Sequence, residues 1–282
     1  MANEARAVRK PHAEAVASTS AEASPALPAR RLRRWLQFSM RTVLLLTAAA
    51  AVLISVIGVP LFRLRKQLLA VESLERAGAL LTFEAQGADG LLAWAGEKLF
   101  GDKAATRVTK VAWNNDPIRA ADLAPLESLR WVEHVDLAWK AVDDEGASHL
   151  RQLRHLATLN LNGARLTDRG LAYLSDCRAL RRLQLHGAKV TDAGLASLVN
   201  LSELEGIDLS STQVTGENLE PLTRLPALDM LNLNETPLTD SALGVLSRMQ
   251  QLRWLGVSHT PDLSDAAREA LAAALPDTAI DD

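Results

Sequence analysis

The chain has 282 residues and is 48% hydrophobic, enough for one or two domains with a sizeable core, yet Phe, Trp and Tyr together make only 4%. Its formal charge of −3 averages two unlike regions: residues 1–66 hold eleven of the 31 Lys/Arg and three of the 34 Asp/Glu, leaving 20 basic against 31 acidic residues, net −11, for the rest. So acidic a region repels polyphosphate, which argues against nucleic acid as a partner, and the single cysteine, Cys177, excludes an intramolecular disulfide.

Residues 1–42 begin with a stretch rich in Ala, Glu, Pro and Ser that shows no apolar periodicity and then gather arginines, the pattern of a disordered basic cytoplasmic tail. Val43–Phe62 follows, twenty residues without a charge. At about 1.5 Å per residue in a helix it matches a hydrocarbon core of roughly 30 Å. Arg41 and Arg63 bracket it, and Trp35 and Phe38 suit the headgroup level. A buried core helix is seldom apolar all round for so many turns. A cleaved signal peptide is the rival, but the charged region ahead of the run is long and its exit, Ile57-Gly58-Val59-Pro60, lacks a small-x-small cleavage site. The segment therefore reads as an uncleaved signal anchor and one transmembrane helix. Arg30, Arg31, Arg33, Arg34 and Arg41 before it, against Arg63, Arg65, Lys66 and Arg76 after it, place the N-terminus in the cytoplasm and the large C-terminal region outside.

Residues 63–107 are expected to form a juxtamembrane helix and an N-terminal cap, with Gln67–Ala77 helical, Leu80–Phe83 a strand and Leu91–Phe100 a second helix. From Val108 a period of 24 begins. Its first apolar column is Val108, Val132, Leu156, Leu180, Leu204, Leu228 and Leu252; three residues on come Val111, Val135, Leu159, Leu183, Ile207, Leu231 and Leu255; two further, Trp113, Leu137, Leu161, Leu185, Leu209, Leu233 and Val257. Four more apolar columns follow in each unit, such as Val190, Leu195, Leu198 and Leu201, and in the first six units all 42 of these positions are apolar. The L-x-x-L-x-L part alternates as a short strand does, and the later L-x-x-L-x-x-L part has the pitch of a helix or 3₁₀ turn. Thr167-Asp168, Thr191-Asp192, Thr239-Asp240 and Ser264-Asp265 stand where a hydroxyl can cap the helix that follows. One unit cannot bury its apolar face alone, so residues 108–275 predict stacked units with a parallel strand ladder, the last of them an Ala-rich cap over Ala266–Leu275. Residues 276–282 read as an acidic tail.

The pattern LxxLxLxxTxLTDxxLxxLxxL, purest from Leu228 to Met249, resembles the leucine-rich-repeat family. The unit with Leu166-Thr167-Asp168-Arg169-Gly170-Leu171 and Cys177 is similar to the cysteine-containing subclass, and the whole layout resembles bacterial membrane-anchored leucine-rich-repeat proteins of the planctomycete type. The resemblance implies an α/β fold, a right-handed solenoid of parallel strands and short helices. One departure stands out: the column that many such repeats fill with a ladder-forming Asn holds Asp116, Lys140, Ala164, Ala188, Thr212, Thr236 and Thr260, so only the last three units have a residue able to replace it.

Nothing points to catalysis or a cofactor. There is no nucleophile elbow, P-loop, dinucleotide fingerprint or H-x-x-x-H pair, and the six histidines fall in different columns, so no metal site is expected. Cys177 lies in an apolar column and reads as core; Trp131, Trp139 and Trp254 fall outside the apolar columns and are expected to be more exposed than Trp113. The outward strand columns are expected to form a polar concave face, with Asn160, Asn162, Gln184, His186, Asp208, Ser210, Asn232 and Asn234 at its centre and Met230 and Trp254 as apolar anchors. Such a face suits a protein or peptide partner. The alternative is a structural envelope protein or scaffold whose strand face is polar only because water meets it. A charge is expected to be tolerated at outward Ser210 but not at inward Leu209.

Overall fold

The computed structural model describes residues 40–85, 98–99, 101, 103, 106–113 and 117–282. By internal contacts the chain divides into two units, residues 1–52 and 53–282. Of the first, the described part is helix, with every residue from Met40 to Val52 exposed. Met40–Arg76 is helical for 37 residues and is long and apolar enough, by length and composition, to cross a membrane; its most apolar stretch buries nothing. A π turn at Ile54–Gly58 interrupts it just before Pro60, whose ring cannot donate a helix hydrogen bond. Of the expected tail over residues 1–42, Met40–Thr42 are helical, and residues 1–39, like most of the expected helix Leu91–Phe100, lie outside the described residues.

In the second unit the alternating part of each repeat forms a strand. Nine strands pair in chain order among the described residues: β1 (Ala79–Ala85), β2 (Thr106–Trp113), β3 (His134–Asp136), β4 (Thr158–Asn160), β5 (Arg182–Gln184), β6 (Gly206–Asp208), β7 (Met230–Asn232), β8 (Trp254–Gly256) and β9 (Ala279–Asp281). From β2 to β8 every pairing is parallel and joins residues 24 apart, so the sequence period is the register of the sheet. At the N-terminal end β1 runs antiparallel to β2 with a bulge between Thr82 and Phe83, and the helix residues Ala70, Val71 and Leu74 are buried beside it. At the other end the acidic-tail reading of residues 276–282 is corrected. Ala279–Asp281 pairs with β8 at an offset of 25, which absorbs the one-residue insertion near Asp262. The edge of β8 carries unpaired backbone groups, and β9 satisfies them.

Of the 42 apolar positions in the first six repeats, 41 are buried. The exception is Leu243, half-buried, because the turn in that repeat brings the preceding Ala242 inward instead. Cys177 is buried in the same column as Leu201 and donates its Sγ–H to the Leu150 carbonyl at 3.4 Å. Burial, helped by the Asp176 carboxylate, pushes its thiol up to about 12, so it is protonated and unreactive at neutral pH.

The threonine-aspartate pairs do more than cap. Thr167, Thr191 and Ser264 accept the expected hydrogen bonds from the backbone N–H groups of Arg169, Ala193 and Ala267 at 3.3, 3.2 and 3.2 Å. The aspartates Asp168 and Asp192 of the first two pairs, and Asp144 and Asp240 in the same column, reach the next repeat, while Thr239 itself makes no cap. The Asp144 carboxylate accepts from the N–H and hydroxyl of Thr167 at 2.9 and 2.6 Å, Asp168 from those of Thr191 at 2.8 and 2.7 Å, Asp192 from those of Thr215 at 2.8 and 2.9 Å, and Asp240 from those of Ser264 at 2.8 and 2.8 Å. The two Ser264 donors hold the Asp240 carboxyl below its ordinary value.

This aspartate ladder stitches the repeats together, a role expected of asparagine or threonine at another column. The buried Thr212, Thr236 and Thr260 instead donate to carbonyls three residues back, Leu209, Leu233 and Val257, and close turns within their own repeats. The ladder misses one rung, at Gly216. There φ is +88°, and a Cβ would stand 2.5 Å from the Ala242 Cβ, so an aspartate cannot fit.

Candidate binding face

The outward residues of β3–β8 and the second residue after each strand make one continuous surface. Directly beyond it lies a column of left-handed backbone: Trp139, Gly163, Gly187, Ser211, Glu235 and His259 have φ of 60°, 70°, 72°, 55°, 58° and 54°. Each of the first five donates its backbone N–H to a carbonyl of the following repeat, for Trp139 the Asn162 carbonyl at 2.6 Å and for Gly163 that of His186 at 2.7 Å. The inter-repeat ladder thereby continues past the strands and holds the left-handed turns in place.

The structure brings the predicted residues together on this surface, but most of their acceptor oxygens are engaged. Oδ1 of Asn160 accepts from the Asn162 N–H at 3.1 Å, and Oδ1 of Asn162 from the His186 N–H at 3.0 Å. Oδ1 of Asn232 accepts from the Asn234 N–H at 3.0 Å, and Oδ1 of Asn234 from the Ser258 N–H at 2.8 Å, while Nδ2 of Asn234 donates to Asp281 at 3.2 Å. The amide N–H₂ groups of Asn160, Asn162 and Asn232 make no hydrogen bond among the described residues, and Gln184 is exposed and unengaged. The face therefore offers amide donors beside the second carboxylate oxygens of Asp136 and Asp208.

Ser210 is a correction. It does not stand out in solvent but is 6% exposed, because its neighbours close over it. Its hydroxyl donates to Asp208 Oδ1 at 2.6 Å, which leaves the Oγ lone pairs to accept from His186 Nδ1 at 2.9 Å. That order is the reverse of a nucleophilic triad, in which the serine gives its proton to the histidine. It is a lock across two repeats, and a second carboxylate at position 210 would repel Asp208.

The apolar part of the face is richer than expected. Met230 is 48% exposed, and the half-buried Trp254 lies across Gly256, where an added Cβ would meet the indole at 2.6 Å. Trp139, placed among the exposed tryptophans but given no role by the sequence, is 72% exposed and sits edge-on to His186 with ring centroids 5.8 Å apart. It packs over Gly163, where a Cβ would come within 2.4 Å of its ring. A bulky side chain at positive φ is costly, and two of the six residues in the column are glycines, which adopt it freely. No cluster of His, Cys, Asp or Glu able to hold a metal occurs among the described residues.

Against known proteins, the family model described as Leucine Rich repeat matches residues 152–175. No curated protein matches the chain. Among solved structures, an internalin from Listeria monocytogenes is similar at 22% identity and a TM-score of 0.45; the match covers 61% of this chain and spans 56% of the internalin.

Proposed function

We propose that this chain is a membrane-anchored leucine-rich-repeat protein that presents the outer face of β3–β8 outside the cytoplasm to a protein or peptide partner. The observation that carries the reading is the pair of exposed apolar side chains, Trp139 and Met230, on a face that also carries free amide donors. Asn160, Asn162, Gln184 and Asn232 offer N–H groups to the carbonyls of an extended segment, while Asp208, His186, Ser210 and Asn234 keep the ladder rigid beneath them. Trp139, Met230 and Trp254 supply anchors of the kind that dominate interface energies. The net −11 of the region favours a neutral or basic segment at this acidic surface. The uncharged Val43–Phe62 run and its flanking arginines support the anchor and its orientation. The engagement of so many face oxygens in the ladder keeps a second reading, a scaffold without a discrete ligand.

A photo-crosslinking residue placed at Gln184 in the native membrane tests this, with Glu217 on the opposite, helical side as control. Capture of one extracytoplasmic protein from position 184 and not from 217 is the expected result. Equal capture from both positions, or none from 184, favours the scaffold; capture of a cytoplasmic protein reverses the orientation.

A further inference from the structure

A second surface lies away from the strand face, where the chain turns from each helical segment into the next strand. Three successive repeats form there a cleft of about 910 Å³ whose walls carry Arg130, Trp131, Arg151, Arg154, His155 and Arg178. The cleft has two acids, and both are engaged. Glu127 is held by His149 Nδ1 at 2.6 Å, and Asp176 faces Arg151 at 3.7 Å. Arg130, Arg154 and Arg178 occupy one column at the repeat spacing, are exposed, and form no ion pair among the described residues. Between them the Trp131 and His155 rings stack at 4.6 Å, with the Arg107 guanidinium 5.8 Å from the Trp131 ring centre. Trp131 remains 38% exposed.

In a region of net −11, three unpaired in-register arginines around an exposed aromatic stack are the reverse of the surrounding field. We infer that this cleft binds a short acidic peptide segment, its carboxylates forked by Arg130, Arg154 and Arg178 and one apolar side chain resting on Trp131. Guanidinium groups match carboxylates in bidentate geometry, and indole adds the apolar contact. The extent of the cleft selects the ligand class. The arginine column ends after three repeats, with Ser202, Pro226 and Gln250 in the later ones, and Glu203 stands beside Ser202. At a strand spacing of about 4.8 Å the basic stripe is only about 10 Å long, the reach of three or four extended residues. A long polyanion would run off it into acidic surface.

The test uses the full chain in detergent and a fluorescein-labelled hexapeptide of alternating Glu and Ala closed by Phe, read by fluorescence anisotropy at low salt. Saturable binding is expected. The double variant Arg154→Glu with Arg178→Glu weakens it by at least about tenfold and Trp131→Ala by about fivefold, whereas Arg165→Glu, an exposed arginine outside the cleft, leaves it unchanged. Circular dichroism checks that each variant is folded. No binding by the parent overturns the inference, as does equal affinity of the double variant, or tighter cleft-dependent binding of a DNA oligonucleotide of the same length. None of these variants touches the strand face, so their outcome is independent of what binds there.

Discussion

Leu209→Asp unfolds the central repeats, with a loss of at least about 4 kcal/mol, because it puts an unpaired carboxylate where every repeat has a buried apolar side chain. Leu209 has no exposed surface, and its column neighbours Leu185 and Leu233 are equally buried, so neither water nor a cation can reach the new charge. Stacked repeats make the damage spread, since each unit is stable only against its neighbours. Gln184→Glu is the matched control: it is exposed and outward on the adjacent repeat, and it costs under about 0.5 kcal/mol. Urea denaturation of the two variants decides the matter, and equal midpoints would mean that the inward and outward columns are wrongly assigned.

Asp192→Ala is the second large effect, at about 2–4 kcal/mol, although the residue is only half-buried. Its carboxylate accepts four hydrogen bonds from the next repeat: Thr215 N–H at 2.8 Å, the Thr215 hydroxyl at 2.9 Å, Gly216 N–H at 3.0 Å and Asn218 N–H at 3.3 Å. Asp144 and Asp168 each accept two. Asp192 has the heavier task because the following rung is missing at Gly216, and Thr239 turns back instead to the Thr215 carbonyl at 2.9 Å through its own N–H. Removal leaves backbone donors of repeat five without acceptors next to a junction that has no aspartate of its own. Asp192→Asn keeps acceptors for part of the set and falls between the parent and Asp192→Ala. A loss below about 0.5 kcal/mol for Asp192→Ala would show that the ladder is incidental.

The strands, the register and the core could be read from the sequence because one apolar period of 24 governs all three, and a period survives any local irregularity. Trp113 and Cys177 went to the core for the same reason: column membership decides burial. The ladder was not legible in that way. A threonine followed by aspartate before a helix looks like a cap, and a cap is formed at Thr167 and Thr191 though not at Thr239, but the aspartate's partner lies 23 residues on and no local rule points to it. Ser210 failed for a related reason. Strand alternation turns it outward, yet burial was decided by Asp208 and by His186 of the neighbouring repeat, which meet over it. The strand Ala279–Asp281 has none of the leucine pattern of the others, since it covers the edge of β8 with Ile280 packed against the core. Trp139 was visible as an exposed tryptophan, but its importance rests on a left-handed backbone and a glycine seat that only the three-dimensional arrangement supplies.

Trp139 and Met230 are proposed to anchor a partner on the outer strand face. The direct measurement is the affinity of a segment captured at position 184 for the full chain and for Trp139→Ala and Met230→Ala, both exposed enough to leave the fold intact. Each variant is expected to bind at least about tenfold more weakly, about 1.4 kcal/mol, with an unchanged unfolding midpoint. Affinity equal to the parent's in both variants would contradict that anchoring role.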